Sequence, residues 1–258
     1  MDISAQIKKD MQSFYASEAG ERGSEDWIRA GGTARVPESR SSHYFIDRKV
    51  ETALALAPGP AEGRVLELGC SFGHMTFLLA RRFREVVAVD LSAESLALAR
   101  RRAEHYGVGN VRFVGADAER LDAFESATFD AVYSFSTLRF CPYPAAALAE
   151  IHRVLRPGGR AAVDVPNRYC PWYGPLKRAI GIEGHIHDRL FAPGEIRSMM
   201  RAAGFAEVRT RQILFTTKRA PDRVLSLFKL MDRVLEPLPM INRLSGIVMA
   251  AGRKSAAA

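Results

Sequence analysis

The sequence predicts an α/β fold, a doubly wound, mostly parallel seven-stranded sheet with helices on both faces. Short, Val-rich, continuously apolar segments alternate with helix-like segments, and the connections between them are short. Continuous apolar runs are typical of strands that are covered on both faces, and strand–helix alternation indicates βαβ units. The chain has 258 residues, 47% of them hydrophobic, which is enough for one large core.

The elements follow one another in a regular order. A helix over 43–57 ends at a Pro- and Gly-containing break before the first strand, and residues before it are polar with short helical stretches. The following segments are read as strand RVLELG, helix MTFLLARRF, strand EVVAVD, helix ESLALARRRAEHYG, strands NVRFVGAD and FDAVYSF, helix PAAALAEIHRVLRPGG with a Pro-Gly-Gly turn, strand RAAVDVP, helix APGEIRSMMRAAGF, strand AEVRTRQILFTTKR and a last strand in SGIVMAAGRK.

The domain organisation is read from changes in this rhythm. Residues 1–42 are predicted to form an N-terminal cap or lid, and 43–258 the main domain. Within the main domain, 167–192 is aromatic, basic and rich in Pro and Gly, and its length predicts a lid or substrate-binding insertion. A second, apolar helical insertion is predicted over 220–243, where the helix over 221–236 begins at a proline.

Composition excludes several classes of protein. No apolar run approaches the roughly 18 residues of a membrane span, and the N-terminus does not resemble a secretory signal. Cys70, Cys141 and Cys170 form no CxxC pair, so neither a zinc site nor a disulfide framework is expected. A cytoplasmic location is therefore predicted.

The net charge of +8 is unevenly distributed along the chain. Residues 1–128 carry 17 basic and 19 acidic side chains, whereas residues 129–258 carry 20 and 10. Two interpretations stay open, a solvated basic surface and attraction of an anionic substrate, membrane or nucleic acid.

The stretch VLELGCSFGHMT, residues 65–76, is typical of a strand that turns into a helix around a small ligand. A dinucleotide loop would need glycines at Ser71 and His74, and a phosphate loop would need a lysine that is absent. Because such glycines serve contact with phosphates, the loop favours a ligand without them. Asp90 follows Gly69 by 21 residues, the spacing of a carboxylate that binds ribose.

Two further carboxylates indicate which ligand this is. Asp117 ends the third strand, where it is placed to accept a hydrogen bond from an adenine amino group, and Glu67 precedes the loop, where it suits a cationic ligand. An adenosyl ligand with a positive charge and no phosphates is S-adenosylmethionine. The alternatives are a helix N-cap for Asp90 and a structural role for Asp117.

The chain resembles the class I S-adenosylmethionine-dependent methyltransferases, in their small-molecule or quinone-type branch, over roughly 43–213. The resemblance rests on five ordered blocks, VLELGCSFG, VVAVDLS, FVGADAERL, FDAVYSFSTLRF and IHRVLRPGGRAAV. It implies that the methionine part of the cofactor is lined by Gly69, Cys70, Ser71 and Gly73, with Glu67 nearby. It further implies that Asp90 holds the ribose with Leu91 beside the adenine, that Asp117 and Ala118 meet the adenine edge, and that Ser134 or Phe135 lies on the sulfur side.

Two departures from the family pattern stand out. Ser71 replaces the middle glycine of the loop, which allows an altered cofactor contact or a tolerated substitution. Leu138, Arg139 and Phe140 stand where many relatives have Leu-His-His, so a base at that position is not implied.

The remaining candidate residues lie outside these blocks. Arg40 and Tyr44 precede the first strand, where relatives close over the cofactor, and the arginine would pair with the methionine carboxylate. The alternative is a surface arginine and a packed tyrosine. His185 and His187, with Asp188 beside them, are candidate catalytic bases that would take a proton from an acceptor hydroxyl. The alternative is a role in ordering the lid, and no metal is expected.

The acceptor is inferred from the second half of the chain. Four aromatic residues, Tyr169, Trp172, Tyr173 and Phe191, suggest an aromatic or lipid-like substrate, and O-methylation is favoured over C- or N-methylation. The apolar, basic helix over 221–236 packs on the core or on a partner in a homodimer, or rests on the inner face of a membrane. Two other functions stay open: an RNA or protein methyltransferase that uses the basic half, and a non-catalytic cofactor-binding relative.

Overall fold

The computed structural model describes residues 3–22, 39–171, 189–217 and 221–256. They contain a seven-stranded sheet with the strands β1 Arg64–Leu68, β2 Glu85–Asp90, β3 Val111–Gly115, β4 Phe129–Phe135, β5 Leu155–Pro166, β6 Ala206–Ile213 and β7 Ile247–Arg253. The helices are α1 Ile3–Arg22, α2 Arg40–Leu56, α3 His74–Ala80, α4 Ala93–His105, α5 Pro144–Val154, α6 Pro193–Ala202 and α7 Leu225–Leu235.

The strands lie in the order β3-β2-β1-β4-β5-β7-β6. The pairs from β3 to β5 are parallel, and β7 is antiparallel to both β5 and β6. The predicted doubly wound, mostly parallel sheet is therefore confirmed. The strand order reverses between β1 and β4, and in such sheets ligands bind at the carboxyl ends of the strands at this point.

Each face of the sheet is covered by its own helices. On one face, Leu66 and Val132 belong to a buried cluster with Leu148 of α5 and Met200 of α6. On the other face, the alternate strand residues pack against Val50 and Ala53 of α2 and Leu79 of α3. Because successive strand side chains point to opposite faces, this two-sided packing explains why the strands are continuously apolar.

The bounds of three elements differ from the prediction. Helix α2 begins three residues early, because the Ser39 hydroxyl accepts the Ser42 N–H at 3.0 Å and caps the helix. Helix α5 ends at Val154, and the following LRPGG stretch belongs to β5 rather than to the helix. The N-terminal region contains a 20-residue helix, α1, instead of short helical stretches.

The division at residue 42 and the insertions stay predictions. Residues 172–188 of the predicted 167–192 insertion, which include Trp172 and Tyr173, lie outside the described residues. Within the described ranges, no helix is both long enough and apolar enough to cross a bilayer.

Candidate active site

The loop after β1 is packed tightly against the loop after β4. Gly69 adopts a positive φ of +76°, and a Cβ there would lie 2.0 Å from Oγ1 of Thr137. The Thr137 hydroxyl in turn donates to the carbonyl of Leu68 at 2.8 Å. Any side chain at residue 69 would therefore push the two loops apart at the reversal point of the sheet.

Ser71 takes the place of the middle glycine without disrupting the loop. It has a left-handed φ of +47°, which disfavours residues other than glycine. Its backbone N–H donates to Oδ2 of Asp90 at 2.8 Å, which ties the loop to the end of β2. Gly73, with φ +81°, then begins α3, where a Cβ would lie 2.9 Å from the Phe77 ring.

The Asp90 carboxylate is held in place by backbone N–H donors. Its Oδ1 accepts the Ser92 N–H at 3.0 Å, and its Oδ2 accepts the Ser71 N–H. Burial raises the pKa of Asp90, while these N–H groups act in the opposite direction. The Leu91 N–H acts on the carboxylate as well. An ionised carboxylate accepts about four hydrogen bonds, so the side chain retains capacity for a ligand hydroxyl.

Glu67 is a buried carboxyl group at the start of the loop. It is 1% exposed, and its Oε2 accepts the Thr76 hydroxyl at 2.5 Å. Burial raises the pKa of Glu67 to about 7, the Thr76 hydrogen bond lowers it, and the charges of Asp90 and Lys49 act in opposite directions. This carboxyl group therefore exchanges its proton near neutral pH.

A buried ion pair that the sequence analysis missed supports the loop after β4. Lys49 of α2 and Asp164 of β5 are 1% and 0% exposed, with the Lys49 Nζ 2.6 Å from the Asp164 Oδ2. The Lys49 Nζ also donates to the Ser136 hydroxyl at 2.9 Å, and Asp164 Oδ1 accepts the Ser136 N–H. The pair thus holds Ser136 in a left-handed conformation, φ +60°.

A sequence signal for this pair existed. Lys49 lies on the stripe of α2 that buries Phe45, Ile46, Val50 and Ala53, and Asp164 interrupts the apolar strand. A charge on an apolar face is rarely buried unless it is paired. Burial lowers the pKa of Lys49, and the charge of Asp164 opposes that shift.

The end of β4 lies beside the glycine loop. Ser134 is in register with Leu68 of β1 and is fully buried, and its hydroxyl has no hydrogen-bond partner within the described part of the chain. Phe135 is 6% exposed. Burial raises the pKa of the Cys70 thiol well above its ordinary value, so Cys70 is not a thiolate nucleophile.

The N-terminal helix lies across the adenine end of the predicted site. Lys8 Nζ is 2.6 Å from Oδ2 of Asp117 and 2.6 Å from Oε2 of Glu119. Gln12 donates to the carbonyl of Leu91 at 3.2 Å. Helix α1 therefore contacts the loops after β2 and β3, next to Ala118, which packs against the main core.

Arg40 and Tyr44 contact the segment around α7 instead of the glycine loop. The Tyr44 hydroxyl donates to Asp232 Oδ2 at 2.9 Å, and the Arg40 N–H donates to Asp222 Oδ2 at 3.1 Å. These contacts agree with the packed-tyrosine alternative, and a role of either residue in cofactor binding stays a prediction.

The predicted acceptor pocket and bases are only partly described. Phe191 is completely buried in the main core cluster, and a contribution of this ring to binding an aromatic acceptor stays a prediction. His185, His187 and Asp188 lie outside the described residues. Among the residues that are described, no group of three or more His, Cys, Asp or Glu side chains could hold a metal ion.

The glycine loop and the Asp90 carboxylate meet at the reversal point of an α/β sheet, which is where such folds bind nucleotide-type ligands. The family model described as "Methyltransferase domain" matches residues 66–163. The demethylmenaquinone methyltransferase of Thermus thermophilus is 35% identical over 182 residues, which cover 62% of this chain and 80% of the relative.

Two other relatives widen the comparison. The S-adenosyl-L-methionine-dependent Diels-Alderase iccD of Talaromyces variabilis is 28% identical, and the matched region covers 93% of this chain and 85% of the relative. A ubiquinone biosynthesis O-methyltransferase of Nitrosococcus oceani is 29% identical, over 55% of this chain and 62% of its own. The chain belongs to the class I S-adenosylmethionine-dependent methyltransferases. It is an enzyme of the small-molecule type, and its cofactor is S-adenosylmethionine.

Proposed function

We propose that the cofactor lies along the carboxyl ends of β1, β2 and β4. Asp90 binds the ribose hydroxyls with Leu91 beside the adenine, and Asp117 and Ala118 meet the adenine edge. The methionine part follows the loop from Gly69 through Cys70 and Ser71 to Gly73, with Glu67 nearby. Three features support this fit: the unused acceptor capacity of Asp90, the glycine conformations of the loop, and the buried hydroxyl of Ser134 beside Phe135 on the sulfur side.

The acceptor is a hydroxyl group on a small aromatic or lipid-like molecule. The observation that supports an aromatic, quinone-like acceptor molecule is the 35% identity to a demethylmenaquinone methyltransferase across 80% of that relative. The resemblance to a ubiquinone biosynthesis O-methyltransferase favours oxygen as the acceptor atom. In this chain, Tyr169 is more than half exposed at the edge of the predicted 167–192 insertion, where it is available to an aromatic acceptor.

The protein's part in the reaction is alignment and proton removal. S-adenosylmethionine supplies the activated methyl group when bound. The loops after β1 and β4, locked together by Gly69 and Thr137, fix the position of that group, and alignment of the reacting atoms supplies much of the rate. A hydroxyl acceptor keeps its proton at neutral pH, so a base must take it, and His185 or His187 fills that role.

An acceptor panel tests this proposal. The enzyme is incubated with S-adenosylmethionine and with demethylated quinols, catechols, alkylamines or carboxylic acids, and products are identified by mass spectrometry. Methyl ethers of quinols or catechols are expected. Methylation confined to amines or carboxylates would overturn the acceptor class. His185→Gln and His187→Gln test the bases, because loss of the true base lowers kcat more than cofactor affinity.

A second candidate function is cyclisation with the cofactor bound but not consumed. It is favoured by the extent of the match to the Diels-Alderase, which covers 93% of this chain. A [4+2] cycloaddition needs no proton acceptor, whereas O-methylation does. The two candidates therefore differ in whether S-adenosylhomocysteine is formed.

A further inference from the structure

Helix α7 buries two carboxylates and exposes part of its apolar side chains. Asp232 and Glu236 are 1% and 6% exposed, whereas Leu227 and Leu230 are each 57% exposed. An ordinary surface helix presents its apolar stripe to the core and its charges to water. Leu225 is buried, and Phe228, Met231 and Leu235 are half-buried. The exposed stripe of Leu227, Leu230 and Val234 is therefore a second apolar side of α7, which the described chain leaves uncovered.

Hydrogen bonds and ion pairs fix this orientation. Asp232 accepts the Phe215 N–H at 2.6 Å and the Tyr44 hydroxyl at 2.9 Å. Glu236 accepts the Leu214 N–H at 3.0 Å and forms an ion pair with Arg48 at 2.5 Å. Turning the helix to bury Leu227 and Leu230 would break all four contacts. Polar groups that are buried without partners are costly.

The exposed apolar side chains of α7 and of the segment that follows it are called the outer face here. Its helical members recur at the spacing of a single stripe, and further members follow the helix. They are Leu227, Leu230, Val234, Leu238, Met240 and Leu244, all at least 42% exposed. Exposed apolar surfaces of this kind mark interaction sites.

The charges around the outer face have one sign. The four basic side chains of residues 221–244, Arg223, Lys229, Arg233 and Arg243, are all exposed. Of the three acidic side chains in this segment, Asp232 and Glu236 are buried, and Asp222 accepts the backbone N–H groups of Arg40 and Ser41. The outer face and these cations thus belong to one exposed segment, in which Lys229 also contacts Tyr44, with its Nζ 5.1 Å from the centroid of the ring.

We propose that the outer face docks on the surface of a lipid bilayer that contains anionic lipids. The leucines enter the boundary between headgroups and acyl chains, while the four cations contact the headgroups. A second copy of this chain is a poorer occupant, because a symmetric pair would bring two sets of four cations together with one exposed carboxylate, Asp222, in each set. This docking does not depend on which acceptor is methylated.

Vesicle co-flotation tests the proposal directly. The full chain is mixed with vesicles of phosphatidylcholine alone or with vesicles that also contain phosphatidylglycerol. Binding to the anionic vesicles, weakened by salt, is expected. Each cation near an anionic surface is worth about fivefold in partitioning, so Arg223→Gln, Lys229→Gln and Arg233→Gln together should reduce binding roughly 100-fold at low salt.

Matched variants distinguish vesicle binding through the outer face from binding through the overall positive charge of the chain. Arg81→Gln, Arg82→Gln and Arg84→Gln remove the same charge at the amino end of β2 and should leave binding nearly unchanged. Leu227→Ser with Leu230→Ser should abolish vesicle binding without loss of folding, because both side chains are already exposed. Circular dichroism verifies the fold of each variant.

Three results would overturn the proposal. They are an absence of wild-type binding to anionic vesicles, unchanged binding of the leucine variant, and a wild-type dimer in light scattering that the leucine variant converts to a monomer. The last result would assign the outer face to a second copy of the chain. None of these measurements requires methyl transfer, so they stand apart from the test of the acceptor.

Discussion

At the residue scale, Ser71 shows how a departure from the family pattern is accommodated. The position requires a left-handed backbone, and its N–H holds the Asp90 carboxylate. The side chain contributes neither of these features, so serine serves as glycine does once the conformational cost is met. The site is consequently defined by backbone geometry at residue 71 and by side-chain chemistry at residue 90.

Replacing Asp90 with Asn should weaken cofactor binding. The substitution keeps the shape of the side chain but removes the charge that strengthens its hydrogen bonds to ribose, each worth about 1.5–3 kcal/mol. We expect roughly 10- to 100-fold weaker binding of S-adenosylhomocysteine by calorimetry. Asp122→Asn, at an exposed ion pair, is the control and should bind normally. Equal affinities of the Asp90 variant and the wild type would contradict the ribose assignment.

Glu67 makes the stability of the ligand-free protein depend on pH. Its pKa is raised by burial from 4.5 to about 7, so the folded state holds the proton more tightly than the unfolded state. The resulting stabilisation is complete below pH 4.5 and is lost as the pH rises through about 7.

Replacing Glu67 with Gln should remove this dependence, which amounts to about 3 kcal/mol at most. Urea unfolding across this pH range measures it in both proteins, and the amide still accepts the Thr76 hydroxyl. Parallel pH profiles for wild type and variant would show that Glu67 does not titrate in this window.

At the element scale, the sequence predicted the strands that have a continuous apolar pattern. It did not predict the polar contacts that position α1 and α7. The strands EVVAVD and FDAVYSF have the predicted bounds, since continuous apolar runs leave little choice. The position of α1 is set instead by Lys8 and Gln12, whose partners lie 79 and more residues away in the sequence. The orientation of α7 likewise depends on backbone N–H groups at 214 and 215, which no pattern within the helix reveals.

Helix α1 should slow the release of the cofactor, because it lies across Leu91 and Asp117. Lys8→Ala with Gln12→Ala should raise the dissociation rate of S-adenosylhomocysteine several-fold in stopped-flow displacement. Stability should change by less than about 1 kcal/mol, since the Lys8 ion pairs are partly exposed. Lys9→Ala, on an exposed position of the same helix, is the matched control. An unchanged dissociation rate would refute a covering role for α1.

At the scale of the whole molecule, the sheet order brings the proposed site residues together at the carboxyl ends of the strands. The loops after β1, β2 and β4 meet at the carboxyl ends of the strands, and α2 reaches the same edge through Lys49. From the sequence, residues that follow the strands could be named as candidate cofactor-binding residues, because the family blocks extend over the ends of those strands. The sequence analysis missed Lys49 and Asp164, which meet only when α2 packs on the sheet and which lie 115 positions apart in the chain.

The stoichiometry of S-adenosylhomocysteine tests the central claim, methyl transfer to a small acceptor, most directly. The enzyme is given S-adenosylmethionine with an isotopically labelled methyl group and an accepted quinol or catechol. The account predicts one S-adenosylhomocysteine per product and the label on an oxygen of that product. Product that forms without S-adenosylhomocysteine and without label would contradict it, and would show that the bound cofactor supports a reaction other than methyl transfer.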